Sequence, residues 1–448
     1  MKHNNIKSNF ISENIRFNAG YYLNDDALNS YKIESNSKKC KPLFEIANVF
    51  NPPIFKRQFC QSTDRAVQYC QSSDVTNALE GSEVFINKLQ AEKVESIVKK
   101  DQILITGFGT IGNTRLVNEL SNGISYANNV CRVEAHNNIP YGYIYAFLTS
   151  KYGRAQVNKN ASGSVVRYIE APGIKRTLIP LLEESIQQQI HQLIIEASAL
   201  RVEASKLFKE AIDLFEQEIN EGNIKLGFQY DRISSKDIFS KHKRFDSQYQ
   251  VIWKNIKKKY KTIKYQRIGE LAINIFVGGR GKRNYVDNGV PFLSSSDMML
   301  FNPVRNSKKV SFNTLGLKSM RVEKFDILIS RSGTVGNTVI VGDSMKNVAV
   351  SEHALRLKIN PDLISPSYVF AFLNTNIGKR AMEASAFGSV IITLNEELIG
   401  DIDIPILDKS IQNSISTKVE KYMESIDNAT SKENQAIDLI EKEIDAWQ

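Results

Sequence analysis

Three things are scarce in this chain, and each scarcity removes a class of protein. No uninterrupted apolar run is long enough to span a bilayer, and the opening Met-Lys-His-Asn-Asn-Ile lacks the apolar core of an export signal. Only four cysteines occur among 448 residues. Cys40, Cys60, Cys70 and Cys131 lie in the first third at spacings that fit neither a disulfide framework nor a zinc site, and read as free thiols of a reducing cytoplasm. The five histidines (His3, His136, His191, His242, His353) show no metal-ligand spacing, so no metal is expected. What remains is the composition of a soluble globular protein, 42% hydrophobic and 24% charged. Its net charge of +9 permits nucleic-acid binding without requiring it.

The chain is written twice. Gly109-Thr110-Ile111-Gly112-Asn113-Thr114 returns as Gly333-Thr334-Val335-Gly336-Asn337-Thr338, each copy after a strand-like run, Ile103-Leu104-Ile105 and Ile327-Leu328-Ile329. Tyr145-Ala146-Phe147-Leu148 answers Phe370-Ala371-Phe372-Leu373, Gly163-Ser164-Val165 answers Gly388-Ser389-Val390, and Ile179-Pro180 answers Ile404-Pro405. Upstream, Lys56-Arg57 matches Lys282-Arg283, Ser72-Ser73-Asp74 matches Ser295-Ser296-Asp297, and Arg16-Phe17 with Tyr21 matches Arg244-Phe245 with Tyr249. The displacement is half the chain throughout and drifts by a few residues only.

Each copy is followed by a long amphipathic stretch. Ile186, Ile190, Leu193, Ala197, Leu200, Ala204, Leu207, Ala211 and Leu214 alternate spacings of four and three, the seam of a helix packed lengthwise on another helix. Ile411, Ile415, Val419, Tyr422, Ile426, Ala429, Ile437, Ile440, Ile444 and Trp447 form a second seam, broken where Glu433 falls at an apolar position. The reading is therefore α/β (α+β) globular domains in two tandem copies, each followed by a long helix, the helices pairing as an antiparallel coiled coil with pseudo-twofold symmetry. The boundaries are an N-terminal arm 1–40, a first globe 41–180, a helix 181–222, a basic linker 223–265, a second globe 266–405 and a closing helix 406–448. Ile103 to Thr106, Val130 to Val133 and Ala354 to Lys358 read as strands, and Tyr141 to Ser150 as a helix.

Two stretches imitate catalytic motifs. Gly107-Phe108-Gly109-Thr110-Ile111-Gly112 satisfies the dinucleotide pattern, but in the second copy Arg331 and Ser332 replace Gly107 and Phe108 while the later glycines persist. A tight Gly-x-x-Gly-Asn turn is what the copies share. Asn51-Pro52-Pro53-Ile54 is similar to the Asn-Pro-Pro-aromatic motif of adenine-N6 methyltransferases, yet Ile54 cannot stack on a flipped base, and a Pro-stiffened turn is expected. The duplicated features are glycines, small polar residues, basic residues and helices, the profile of a binder rather than an enzyme.

Over essentially its whole length the chain resembles the specificity subunit of type I restriction–modification systems. The residues that carry the resemblance are the Arg-Phe…Tyr entries, Phe325-Asp326-Ile327-Leu328-Ile329-Ser330-Arg331-Ser332-Gly333, the Gly-Ser-Val turns, and the steps Ile179-Pro180-Leu181-Leu182 and Ile404-Pro405-Ile406-Leu407. Where that family has Pro-Leu-x-Glu-Gln, Leu182-Glu183-Glu184-Ser185 and Leu407-Asp408-Lys409-Ser410 depart from it, though Gln187 and Gln412 remain. The resemblance implies two target recognition domains, each reading half of a bipartite sequence in double-stranded DNA. It implies helices that space them and dock two methyltransferase subunits, with restriction subunits adding to that complex. The chain itself would hold no cofactor; S-adenosylmethionine would sit on the methyltransferase partners. The seam of the first helix, about 42 Å long at 1.5 Å per residue, would span about 12 base pairs.

Phosphate contacts need Lys or Arg on loops, and base readout favours Arg, Asn or Gln. The candidates are Lys56, Arg57, Arg115 and Arg167 in the first globe and Arg280, Lys282, Arg283 and Arg331 in the second. The helix-pairing candidates are Ile186, Ile190, Leu193, Leu200, Leu207 and Leu214 with Ile415, Val419, Tyr422, Ile426, Ile440 and Ile444. Two alternatives stay open: a specificity subunit of a related bifunctional type II system, and a helical protein–protein scaffold that never addresses DNA.

Overall fold

The computed structural model describes residues 24–78, 81–136, 138–162, 167–219, 231–239, 244–259, 263–332, 335–388 and 392–447. The chain divides into two compact units, Met1–Val202 with Asn428–Gln448, and Glu203–Asp427. The Arg16-Phe17…Tyr21 entry, the end of the first long helix at Gly222 and most of both Gly-Ser-Val turns lie outside the described residues.

The first unit is built on a four-stranded antiparallel sheet in the order Ala47–Phe50, Val130–Ala135, Ile103–Thr106, Thr114–Leu116. The apolar run at 103–105 is buried on both faces, as an uninterrupted hydrophobic strand must be. Ile103 and Ile105 join the core of the helices Tyr141–Thr149 and Lys151–Lys159, whereas Leu104 faces a second cluster with Cys70, Val98, Val117 and Tyr126. A smaller sheet carries Phe59–Cys60, Phe85–Asn87, Ala66–Cys70 and Ser125–Tyr126, its last pair parallel. Cys40–Pro42 pairs with Leu178–Pro180, so the globe's first and last strands close on each other. The arm contributes the helix Asp25–Ser35, tied to the Lys151–Lys159 helix by Lys159–Glu34 at 2.6 Å and Asn158–Asp26 at 2.9 Å.

The second unit repeats this order. Its four-stranded sheet runs Ala272–Val277, Ala354–Ile359, Ile327–Ser330, Thr338–Ile340, and Tyr265–Arg267 pairs with Asp403–Pro405. The smaller sheet differs: three strands, Lys308–Val310, Tyr285–Leu293 and Ala349–Val350. Residues 247–259, expected in the basic linker, form the helix Ser247–Lys259 and bury Val251, Trp253 and Ile256. Lys254 and Lys258 are both held by Asp231 at 3.0 Å, so the lysine-rich pattern is one polar face of a packed helix. Arg244 of the second entry segment donates to the carbonyls of Ser385 and Ala386, satisfying the end of the helix Asn376–Ser385.

The shared glycine turn connects two antiparallel strands. Gly112 N–H donates to Thr106 O at 2.9 Å and Gly336 N–H to Ser330 O at 3.0 Å, with φ of +79° and +88°. A β-branched or bulky residue is strained in that left-handed region. A dinucleotide loop opens a helix whose N-terminus takes the phosphates; here a strand follows instead, as the sequence comparison of the copies implied.

The long helices are Glu184–Glu218 and Lys409–Asp445. Each begins with a glutamine that donates to the loop before it, Gln187 to Leu182 O at 2.8 Å and Gln412 to Leu407 O at 2.7 Å. The expected seam of the first helix is half right. Ile190, Ala197, Ala204 and Ala211 are buried, but the buried positions between them are Ile194, Phe208 and Phe215, one residue beyond Leu193, Leu207 and Leu214, while Arg201, beyond Leu200, is half-buried. Leu193, Leu200, Leu207 and Leu214, like Ile186, are only half-buried. The reason is a second neighbour. Phe208 stacks at 5.2 Å on Phe370 and 4.8 Å on Tyr422, and Phe215 packs on Tyr368 and Phe372, so the stripe widens to serve a globe as well as a helix. On the closing helix Ile415, Val419, Ile440 and Ile444 are fully buried, and Tyr422 and Ile426 half-buried.

Glu433 explains the break in the second seam. Its carboxylate is fully buried in the first unit, accepting from Tyr145 Oη at 2.6 Å and from Arg201 Nη2 at 2.9 Å. The interruption is one polar layer, with an arginine and a glutamate at seam positions of the two helices.

Candidate nucleic-acid interface

In each unit three loops leave the same end of the four-stranded sheet. They follow its first strand (residues 51–58 and 278–284), precede the second (127–129 and 351–353), and follow the third (107–113 and the described 331–332 and 335–337). Two backbone bonds of this rim recur in both. Gly107 N–H donates to Asn129 O at 3.0 Å, as Arg331 N–H does to His353 O at 2.9 Å; Gly107 O accepts from Ile169, as Arg331 O does from Leu394.

The first rim carries Lys56 and Arg57, both exposed. Their loop is pinned by Gln90, which donates to Lys56 O at 2.6 Å and accepts from Gln58 N–H at 3.0 Å, and the Arg57 guanidinium lies over the Tyr69 ring at 5.5 Å. Asn51 is a tie within the loop, donating to Asn128 O at 2.9 Å and accepting from Ala171 N–H at 2.8 Å, while Ile54 is exposed. Arg167 is exposed and donates to Asn158 O. Arg115 corrects an expectation: it is 5% exposed, with Nη1 donating to Val75 O at 2.9 Å and Asn77 O at 2.8 Å. It lies on a sheet strand beneath a 3-10 turn and braces that turn from inside, where no phosphate reaches it.

The second rim gathers its candidates around one carboxylate. Arg283 Nη2 pairs with Glu352 Oε2 and its guanidinium lies 4.7 Å from the Phe292 ring centre, while Arg280 Nε and His353 Nε2 each stand 4.0 Å from Glu352 Oε1. Partial burial works against the charge on Glu352, but its own backbone N–H and the Arg283 guanidinium prevail and hold its pKa below the ordinary value. Arg331 joins through the bond from its N–H to His353 O, and its Nε donates to Leu394 O at 3.0 Å. Lys282 is exposed between Arg280 and Arg283. Among its described residues the rim is a basic cluster with a built-in counter-charge.

Two features escaped the sequence reading. Arg132 and Arg356, at matched strand positions, are fully buried. Arg132 donates to the carbonyls of Ser96, Tyr126, Ala127 and Val130, and Arg356 to those of Ser319, Met320 and Arg321. Burial pulls both guanidinium groups down to about 10. The repeat displacement, applied to a charged residue inside an apolar strand, could have found them. The other is Phe108, stacked at 5.5 Å on Tyr168 across an isolated bridge, both rings over a third exposed. Among the described residues, no group of three or more His, Cys, Asp or Glu could hold a metal ion, and no helix is long and apolar enough to cross a membrane.

The second of these rims lies in a stretch that matches a family model. Residues 233–439 match the family model of the type I restriction modification DNA specificity domain. The chain is similar to the type I restriction–modification S subunit from M. genitalium, at 14% identity over 90% of this chain and 94% of that one, with a TM-score of 0.32. It is also similar to the HsdS subunit from Thermoanaerobacter tengcongensis, at 13% identity over 91% and 97%, TM-score 0.29. A chain from a structure of type I R-M complex assembly and conformational transition gives 13%, 91% and 95%, TM-score 0.30. No curated protein matches the sequence.

Proposed function

We propose that this chain is the non-catalytic DNA-recognition subunit of a type I restriction–modification complex, acting in the cytoplasm on double-stranded DNA. Each unit reads one half of a bipartite site through its rim. The two long helices pair antiparallel with pseudo-twofold symmetry, space the reading units and dock two methyltransferase subunits, to which restriction subunits add. S-adenosylmethionine and the flipped adenine belong to the methyltransferase partners. The observation that carries this reading is the repeated rim: the same three loops, on the same backbone bonds, bear a basic pair in both units, Lys56-Arg57 and Lys282-Arg283. The stretch 233–439 that matches the specificity-domain model contains the second of them. In support of the pairing, each compact unit holds one stretch of each long helix, and Glu196–Lys432 and Glu210–Lys418 bridge such stretches, each at 2.5 Å.

The test is a map of methylated adenines in the source genome with and without this gene. A two-part motif with a fixed gap, lost on deletion, is the expected result. A bipartite motif that survives deletion, in a strain where this chain is expressed with its methyltransferase, would overturn the reading.

A further inference from the structure

Although the two rims share these backbone bonds, they carry different chemistry at matched positions. Where the first rim has Ile54, Asn128, Asn129 and Gly107, the second has Arg280, Glu352, His353 and Arg331. We infer that Arg280 reads a guanine in the half-site addressed by the second unit, that Glu352 and Arg283 are the positioning pair for it, and that the other half-site is read without such a contact. This rests on the proposed function and assigns roles within the same site.

The geometry separates two arginines that the sequence left equivalent. Arg283 is fixed on several sides: Nη2 pairs with Glu352, the guanidinium covers the Phe292 ring, and Nε is buried. A group so held is an anchor. Arg280 has a side chain 76% exposed and meets Glu352 only through Nε, at 4.0 Å. Nε is thus the atom of Arg280 that approaches the carboxylate, and the largely exposed side chain can turn its Nη1–Nη2 edge toward a base. Two parallel N–H donors on one planar edge match guanine O6 and N7 in the major groove. Glu352 tempers the pull of Arg280 on a phosphate, and because Arg283 already balances that carboxylate, the salt slope separates a phosphate contact from a base contact. In the first unit neither half of the device exists, because Ile54 and Asn128 occupy the matched positions.

The experiment uses the full chain. Duplexes are selected from a random pool, and single-position variants of the selected site are then compared by competition binding. The wild-type chain should require guanine at one position of one half-site, with about 5- to 150-fold discrimination against other bases. Arg280→Ala should abolish that preference and leave the second half-site's selection intact; Arg280→Lys should not restore it, since an ammonium lacks the fork. Replacing that guanine by 7-deazaguanine should weaken binding by wild type and not by Arg280→Ala. Glu352→Gln should lower discrimination at the same position with unchanged thermal unfolding, and Glu352→Asp should recover part of it. An even loss of affinity across sequences in Arg280→Ala, with the log–log salt slope smaller by about one, would identify a phosphate contact and overturn this inference while leaving the proposed function standing. Failure to select any duplex would remove both.

Discussion

Replacing Glu433 by alanine should destabilise the first unit far more than a surface charge change would. The carboxylate is fully buried, and its partners would lose it together: Arg201, whose side chain is 15% exposed, and the Tyr145 hydroxyl, which is buried. Breaking a buried ion pair from one side costs about 3–5 kcal/mol, most of it the charge left behind. The partial exposure of Arg201 lets water reach its guanidinium and favours the lower end. An orphaned buried hydroxyl adds about 1–3 kcal/mol where it is independent, and here it is not, because the groups form one network. The expected loss is therefore about 3–5 kcal/mol, or about 6–20 °C for a unit of this size. Urea unfolding followed by far-UV circular dichroism measures it. The companion variant replaces the whole layer: Glu433→Leu with Arg201→Leu and Tyr145→Phe should recover most of the loss or exceed wild type, since an apolar layer escapes the desolvation cost of the ion pair. A single variant costing less than about 1 kcal/mol would refute the reasoning, and so would a triple variant no more stable than the single one. If the triple variant is stable but gains a second helix register, seen as doubled resonances from the seam, the layer is a register device of the kind a lone polar heptad residue supplies.

Arg132→Met and Arg356→Met should each cost about 3 kcal/mol or more, because the buried carbonyls that each arginine satisfies lose their donors; denaturant midpoints of the two variants check this. Lys56→Ala and Lys282→Ala should each weaken duplex binding evenly across sequences and reduce the salt slope by about one; an unchanged slope would remove that residue from the contact list. Asp445 is opposed by partial burial but held below the ordinary carboxylate range by Tyr152 and Lys151, so it contributes stability above the unfolded value near 3.9. That contribution disappears as pH falls through the folded value, and Asp445→Asn should flatten that part of the acid limb. Burial pushes the thiols of Cys40 and Cys70 up to about 11 and of Cys131 to about 12, while Cys60 is exposed. Alkylation at pH 8 followed by mass spectrometry should mark Cys60 first and leave Cys70 and Cys131 untouched until denaturant is added.

Much of the fold was legible because repeats and periodicity are local signals. The strands at 103–106 and 354–359, the helix at 141–149 and the glycine hairpin announce themselves through runs and spacing alone. What failed needed a neighbour to be known. Leu207 and Phe208 are equally apolar, and only the Phe370 and Tyr422 rings make Phe208 the buried one. Lys254 and Lys258 read as a solvated run until Asp231 and the apolar face of Val251, Trp253 and Ile256 are in view. Arg115 and Lys56 are both basic residues near turns, and the sequence does not say that one is buried on a strand beneath a turn. At the rim, the pairing of Arg283 with Glu352 joins residues 69 apart, which no local pattern could propose.

The buried arginines bear on how one frame can hold two unlike rims. A loop whose carbonyls are satisfied by its own surface side chains cannot change those side chains without losing its shape. Here a strand residue supplies the donors from beneath. Arg132 holds the carbonyls of Tyr126, Ala127 and Val130, which flank Asn128 and Asn129 on the first rim. Arg356 holds Ser319 O, and Ser319 Oγ in turn accepts from Gly279 N–H at 3.3 Å, at the base of the loop that carries Arg280 and Arg283. The same guanidinium thus steadies a different loop in each unit. Gly278 shows how close that support lies: a Cβ there would stand 2.9 Å from Arg356 Nη2. With part of the backbone fixed from the interior, fewer rim side chains are needed to hold its shape, and Ile54 and Asn128 can stand where the second unit bears arginine and glutamate.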